Sequence, residues 1–276
     1  MDVSNKKRMI FFGCSFTSGH ELMDHDFLGI SFDECNKLKE QHLLEKKSVG
    51  KFDTYIKNVA NIDNAQYNDM SSKKSYGAKL ANKLELEHVN YAEPGLSMEH
   101  SFLKLIHAFH SGEINPSTDL IFFGLTTPHR YMLFTEHGIP ITKVMSDQNY
   151  APEDLHYNDY KIMQSYYFSL ENFKNFCLTN SFDFILQPVV NKGLLLTGMV
   201  EPKYEMFMDI QRDWKYLPMF TKMLENSLEY CIDQDVTLVS RYNPKIHGVC
   251  GFKHPTEIAH EYFAEELYAK ITNKQD

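Results

Sequence analysis

Lys7-Arg8-Met9-Ile10-Phe11-Phe12-Gly13-Cys14-Ser15-Phe16-Thr17-Ser18-Gly19 is the stretch that decides how the rest of the chain is read. The apolar run Met9-Ile10-Phe11-Phe12 predicts a short buried strand. It breaks at Gly13, and a small hydroxyl residue, Ser15, follows at once. In an open α/β sheet reactive groups gather just beyond the carboxyl ends of the strands, so a serine on the first such turn is placed to be a nucleophile. The turn is not the usual G-x-S-x-G nucleophile elbow, because Thr17 stands where the second glycine belongs. Nor is it a phosphate-binding P-loop, which needs Lys-Ser/Thr after its last glycine. For these residues alone, a plain glycine turn with a capping serine is the alternative.

Outward from this stretch, residues 88–92, 120–123, 182–186 and 236–239 form further apolar runs that predict buried strands. Between them apolar side chains recur at helical spacing: Tyr76, Leu80 and Leu84; Phe102, Ile106 and Phe109; Ile162, Tyr166, Leu170 and Phe173; Phe220, Leu224, Leu228 and Cys231; and finally Ile258, Tyr262 and Leu267. Strands alternating with helices imply a parallel sheet covered on both faces. The expected fold class is α/β: a flavodoxin-like three-layer α/β/α sandwich with a five-stranded parallel sheet. Residues 21–75 interrupt the alternation and are rich in Lys, Asp, Asn and His; a stretch this long is functional or partly helical. Residues 131–160, with Tyr131, Phe134, Tyr150, Tyr157 and Tyr160, read as a second insertion whose aromatics either line a pocket rim or cover the core. No repeat or low-complexity linker divides the chain, so residues 1–276 are expected to form one domain with insertions at about 21–75 and 131–160.

Composition narrows the function classes. With 37 acidic against 28 basic residues the formal charge is −9, which argues against a general nucleic-acid binder. Five cysteines, an odd number without a C-x-x-C pair, do not form a disulfide framework and fit a reducing compartment. No run approaches the ~20 apolar residues of a membrane span. The polar start up to Arg8 carries no signal-peptide pattern. The expected location is cytoplasmic, with no membrane partner.

A nucleophilic serine needs a base. Near the other end the chain reads Gly251-Phe252-Lys253-His254-Pro255-Thr256-Glu257. Pro favours the first turn of a helix, so His254 belongs to the loop that opens the last helix, on the same sheet edge as Ser15. There it can act as general base; a mere helix cap is the plainer alternative. Two more strand ends supply polar groups. One is Glu93-Pro94-Gly95, whose glycine can bring a backbone N–H close to a ligand. The other is Gly124-Leu125-Thr126-Thr127-Pro128-His129-Arg130. Backbone N–H groups with a polar side chain are what an oxyanion hole needs. Other candidates carry less. His247, His254 and His260 match no zinc spacing. Cys14 has nothing in the sequence to lower its pKa. His20, Glu21, Asp24 and Asp26 read as a solvated helix start. A nucleotide-binding reading of the Gly13 to Gly19 turn lacks the lysine and a Mg²⁺-binding Asp.

In their order and strand-end positions these blocks resemble the SGNH hydrolases, the GDSL-like lipases and acylhydrolases. Gly13-Cys14-Ser15 stands for the family's Gly-Asp-Ser, with Phe16, Thr17 and Gly19 fitting a Ser-Phe-Thr-x-Gly branch similar to SGNH-like proteins of tailed-phage and bacterial genomes. Gly95 stands for the oxyanion glycine, Gly124-Leu125-Thr126-Thr127 for Gly-x-Asn-Asp, and His254-Pro255 for the fifth block. The resemblance implies a serine esterase acting through an acyl-serine intermediate, with Ser15 as nucleophile and His254 as base. Ser15, Gly95 and Thr126 would be its oxyanion donors, and Thr127 and Arg130 would lie near the substrate. It implies no cofactor and no metal, and a small-molecule or carbohydrate O-acyl ester as partner, acetyl or short acyl, with acyl transfer as the sister reaction. Two departures stand out. Thr126 replaces the oxyanion asparagine. The acid expected three residues before the histidine is absent, because that position is Gly251. The expectation is therefore a Ser-His dyad, or a carboxylate supplied from elsewhere. The alternative is a catalytically degraded SGNH fold that binds a glycan or a protein partner.

Overall fold

The structure is a computed structural model and describes residues 4–45, 49–125, 130–134, 140–144, 152–189, 217–234, 237, 238 and 254–273. Its centre is a parallel sheet of β1 (Arg8–Phe12), β2 (Glu87–Asn90), β3 (Asp119–Leu125) and β6 (Asp183–Pro188) in the order β2-β1-β3-β6. Phe11 stands opposite Asn90 on one side and Phe122 on the other. β3 is buried along its whole length and β1 from Met9 onward, as expected of parallel strands covered on both faces. Arg8 fixes where the central pair starts: its Nε donates to Asp119 Oδ1 at 2.9 Å and its Nη2 to Oδ2 at 2.5 Å.

Successive residues of a strand face opposite ways, and this sorts the helices into layers. Phe11 and Phe122 pack against Tyr76 of α6 (Tyr76–Lys83), which in turn meets Phe263 of α10 (Glu257–Asn273). Phe123 packs edge-on against Phe173 of α8 (Pro152–Thr179), and Phe173 meets Phe102 of α7 (Met98–His110). α9 (Leu217–Leu228) adds Leu224 and Leu228 to the same core. Ser75 and Ser97 cap α6 and α7, accepting from Ala78 N and His100 N. The α/β class and the layered parallel sheet are as expected. No helix among the described residues is long and apolar enough to cross a membrane.

Four expectations are corrected. The sheet has four strands among the described residues, not five. Of the strand expected at 236–239 only Thr237 and Leu238 are described; both are buried and neither is in a strand. In α7 the buried line is Met98, Ser101, Leu105 and Ala108, with Phe102 and Phe109 only partly buried beside it. In α10 two of the three expected residues are turned outward, Ile258 at 62% and Tyr262 at 47% exposed, while Leu267 is buried as expected, in line with Ala259, His260, Phe263, Ala264 and Ile271. A polar contact selects that face, since His260 Nδ1 accepts the Tyr76 backbone N–H at 3.0 Å.

Between β1 and α6 the chain is helical: α1 (Ser15–Ser18), α2 (Asp24–Leu28), α3 (Phe32–Leu44), α4 (Val49–Ala60) and α5 (Asn64–Ser72). The last four close on a small separate core of Phe52, Ile56 and Tyr67, with Phe27, Leu28 and Ile62 packed around it. The stretch 131–160 divides between β4 (Arg130–Phe134), β5 (Pro140–Val144) and the start of α8. β4 and β5 pair antiparallel, outside the main sheet. The side chains of Tyr131, Phe134, Tyr150, Tyr157 and Tyr160 lie outside the described residues.

Candidate active site

The Gly-x-Ser-Phe-Thr sequence is explained by one side chain, that of Thr17. A Cβ on Gly13 would stand 2.5 Å from Thr17 Oγ1, and one on Gly124 of β3 would stand 2.2 Å from it. Gly13 also has φ +148. Thr17 thus fills the gap between the ends of β1 and β3, where the Tyr76 hydroxyl donates to its Oγ1 at 3.1 Å. The chain turns into α1 with Cys14 as extended N-cap. Ser15 is the first helical residue, so its N–H belongs to the turn that has no intrahelical acceptor. Gly19, at φ +71, ends the helix after one turn. Glu21 follows at φ +72, a left-handed conformation that costs a non-glycine residue ~1–3 kcal/mol and calls for a compensating contact.

That contact is His254. Ser15 Oγ lies in hydrogen-bond contact with His254 Nε2 at 3.0 Å, and His254 Nδ1 lies 2.7 Å from Glu21 Oε1. The Ser15 residue is 4% exposed, the His254 side chain 19% and the Glu21 side chain 0%. A proton on Nδ1, facing the carboxylate, leaves Nε2 bare for the serine hydroxyl. Burial raises the Glu21 pKa, but His254, Lys39 and His20 outweigh it and hold the carboxyl at about 2. Glu21 is therefore ionised at neutral pH. His20 lies edge-on to His254 at 5.6 Å and 3.6 Å from Asp53 Oδ2; burial, and then His254, push its pKa down to about 3, so its ring is neutral.

The structure thus brings Ser15 and His254 together and supplies the carboxylate that position 251 lacks. The sequence reading missed Glu21. The polar cluster expected to be a solvated helix start is instead interior: His20, Glu21 and Asp24 are buried, and only Asp26 is exposed, paired with Lys74 at 2.7 Å. Cys14 is fully buried in the sheet core, so the Ser15 hydroxyl, not the Cys14 thiol, faces His254. Gly95 follows β2 at φ +83, with nothing within 4 Å of where a Cβ would stand. Asn90 holds that loop, its Oδ1 accepting Ala92 N at 3.1 Å and its Nδ2 donating to Ala92 O at 3.2 Å. Thr126 and Thr127 lie outside the described residues, as do Gly251 and His247, and of Arg130 only the backbone is described. No metal-binding cluster occurs among the described residues. Beside the β2 loop a recess of about 430 Å³ is lined mainly by polar side chains, Asn68, Asp69, Ser72, His88, Asn90 and Glu93 among them.

No family model and no curated protein sequence matches the chain. Solved structures similar to it include a catalytic variant of an acetylxylan esterase from Geobacillus stearothermophilus, at 11% identity over 98% of this chain and 96% of that one, TM-score 0.48. Another is a lipase/acylhydrolase from Enterococcus faecalis, at 11% identity over 97% and 96%, TM-score 0.44. A third is a protein of the G-D-S-L family from Desulfitobacterium hafniense, at 10% identity over 96% and 99%, TM-score 0.45.

Proposed function

We propose that this protein is a serine hydrolase of the SGNH type that cleaves an O-acyl ester through a Ser15-His254-Glu21 triad. The single observation that carries this reading is the continuous line from Ser15 Oγ to His254 Nε2 at 3.0 Å and from His254 Nδ1 to Glu21 Oε1 at 2.7 Å. Ser15 Oγ attacks the ester carbonyl carbon while His254 Nε2 takes its proton. Glu21 holds the Nδ1 proton and stabilises the imidazolium. The N–H groups of Ser15 and Gly95, with the Thr126 hydroxyl, receive the developing oxyanion; Thr127 and Arg130 contact the substrate beyond it. The C–O bond to the alcohol then breaks, and His254 returns its proton to the leaving oxygen. Water repeats the sequence on the acyl-serine and restores the Ser15 hydroxyl; an acceptor alcohol in place of water gives acyl transfer.

The substrate of the proposed reaction is an acetylated or short-acylated carbohydrate or a similar small ester. The chain works as one domain with two insertions, in a reducing compartment such as the cytoplasm, in keeping with its odd cysteine count. The test is labelling with a fluorophosphonate probe. The native protein is expected to label, and Ser15→Ala and His254→Ala are expected not to, in line with the ~10⁶-fold losses that follow removal of a nucleophile or base. A folded native protein that fails to label overturns the hydrolase and leaves a glycan- or partner-binding module of the same fold.

A further inference from the structure

Behind the triad the chain buries a second line of charge that the reaction does not touch. Lys39, on α3, is 1% exposed. Its ammonium lies 3.0 Å from Glu21 Oε2 and 2.6 Å from Asp24 Oδ2. The Tyr67 hydroxyl, from α5, donates to the other Asp24 oxygen at 2.5 Å, and burial beside Asp24 keeps that phenol protonated. The Phe52 ring of α4 lies 5.9 Å from the ammonium. Each oxygen of Glu21 therefore has its own partner, His254 on one side and Lys39 on the other, which fixes the plane of the carboxylate.

We infer that Lys39 is a positioning residue of the active site, and that helices α3 to α5 are the mount of the catalytic acid. The inference rests on the triad reading above. Burying an ammonium costs several kcal/mol unless it is well paired, and an apolar side chain at such a position is often the more stable choice. Glu21 and Asp24 are both buried carboxylates on one short segment. Without the ammonium between them, one must take up a proton or turn away. Turning Glu21 away breaks the alignment of His254. The groups that face Glu21 are His254, His20, Lys39 and Asp24, with Cys35 from α3, Asp53 and Lys57 from α4 and Tyr67 from α5 around them.

The test compares native protein with Lys39→Met and Lys39→Arg by two readouts. One is the proton resonance of the His254 imidazole Nδ1–H, identified by its loss in His254→Ala. A hydrogen bond to an ionised carboxylate shifts it far downfield and slows its exchange. The other is the rate of fluorophosphonate labelling. Lys39→Met is expected to lose the shifted resonance and to label ~10²-fold more slowly, the scale of a small misplacement of a catalytic group. Lys39→Arg is expected to recover both in large part. A merely structural lysine would lower the melting temperature and leave resonance and rate per folded molecule unchanged; that result overturns the inference. So does a native protein without the shifted resonance. If Lys39→Met does not fold, Asp24→Asn with Lys39→Met removes the ion pair as a unit. This double variant is expected to lose the resonance as well, and native behaviour in it overturns the inference. A native protein that shows the resonance yet never labels breaks the hydrolase reading instead, and the resonance alone then decides whether Lys39 positions Glu21.

Discussion

Around β1 and β3 the chain packs Phe11, Phe12, Phe122 and Phe123 against one another and against Tyr76 and Phe173. Helices α2 to α5 close, among the described residues, on the small core of Phe52, Ile56 and Tyr67, and they bury Lys39 and Asp24 beside it. The first region follows the ordinary economics of folding, in which apolar area leaves water. The second accepts the desolvation of ions, and what it gains is a fixed carboxylate behind His254. One region of the molecule holds the fold, and the other holds the geometry of the proposed triad.

The sharpest way to break that division is Glu21→Gln. An amide keeps the shape but cannot stabilise the imidazolium, and the analogous change in a serine triad lowers kcat ~10⁴-fold. The variant is expected to keep its circular dichroism spectrum while ester hydrolysis collapses, and to melt below native because the buried Lys39 loses one of its two carboxylate partners. A dyad that works without the acid would instead keep native kcat.

Phe122→Ala against Phe52→Ala is the next comparison. Both truncate buried rings, a change worth ~3–5 kcal/mol. In Phe122→Ala, helicity and labelling are expected to be lost together on a urea titration, because the sheet unfolds as a unit. In Phe52→Ala, labelling is expected to fail at lower urea than helicity, because helices α2 to α5 loosen first and release Glu21. Coincident loss in both variants would join the two regions into one cooperative unit.

The smallest effect concerns Asp53 of α4. Burial, and then the negative charges of Asp24 and Glu21, push its pKa from 3.8 up to about 7. The folded state therefore holds a proton that the unfolded chain gives up near pH 4. Its contribution to stability is complete below that pH and is lost as pH rises through about 7. Asp53→Asn removes the penalty of ionising there, so it should melt a few degrees above native at pH 8, with the gap narrowing below pH 7 and closing only near pH 4. Glu21 has the opposite sign: its carboxyl, held at about 2, contributes stability that is present above 4.5 and lost as pH falls through 2. A pH-independent gap would place Asp53 in water.

Much of the sheet was legible because its strands are continuous apolar runs, and Ser15 and His254 because Gly13 and Pro255 mark their turns. The α10 face was misread because His260 looks like a surface residue, whereas its ring nitrogen serves the start of α6. Glu21 was missed because its role depends on one left-handed backbone angle that no spacing rule encodes. One signal was available: the apolar pair Leu22-Met23 between Glu21 and Asp24 is out of place in a solvated turn. Lys39 was invisible for a plainer reason, since a lysine among the polar residues of α3 looks like any exposed one.

Ser15 and Glu21 sit six positions apart on one turn of chain, whereas His254 arrives from 239 residues away, carried by the docking of α10 against α6. During synthesis Ser15 and Glu21, the proposed nucleophile and its acid, are therefore made early and stay chemically silent. On the proposed mechanism reactivity begins only when α10 seats on Tyr76, so a Ser15 that reacts with a probe is a timestamp on the completion of folding, and the probe counts finished molecules.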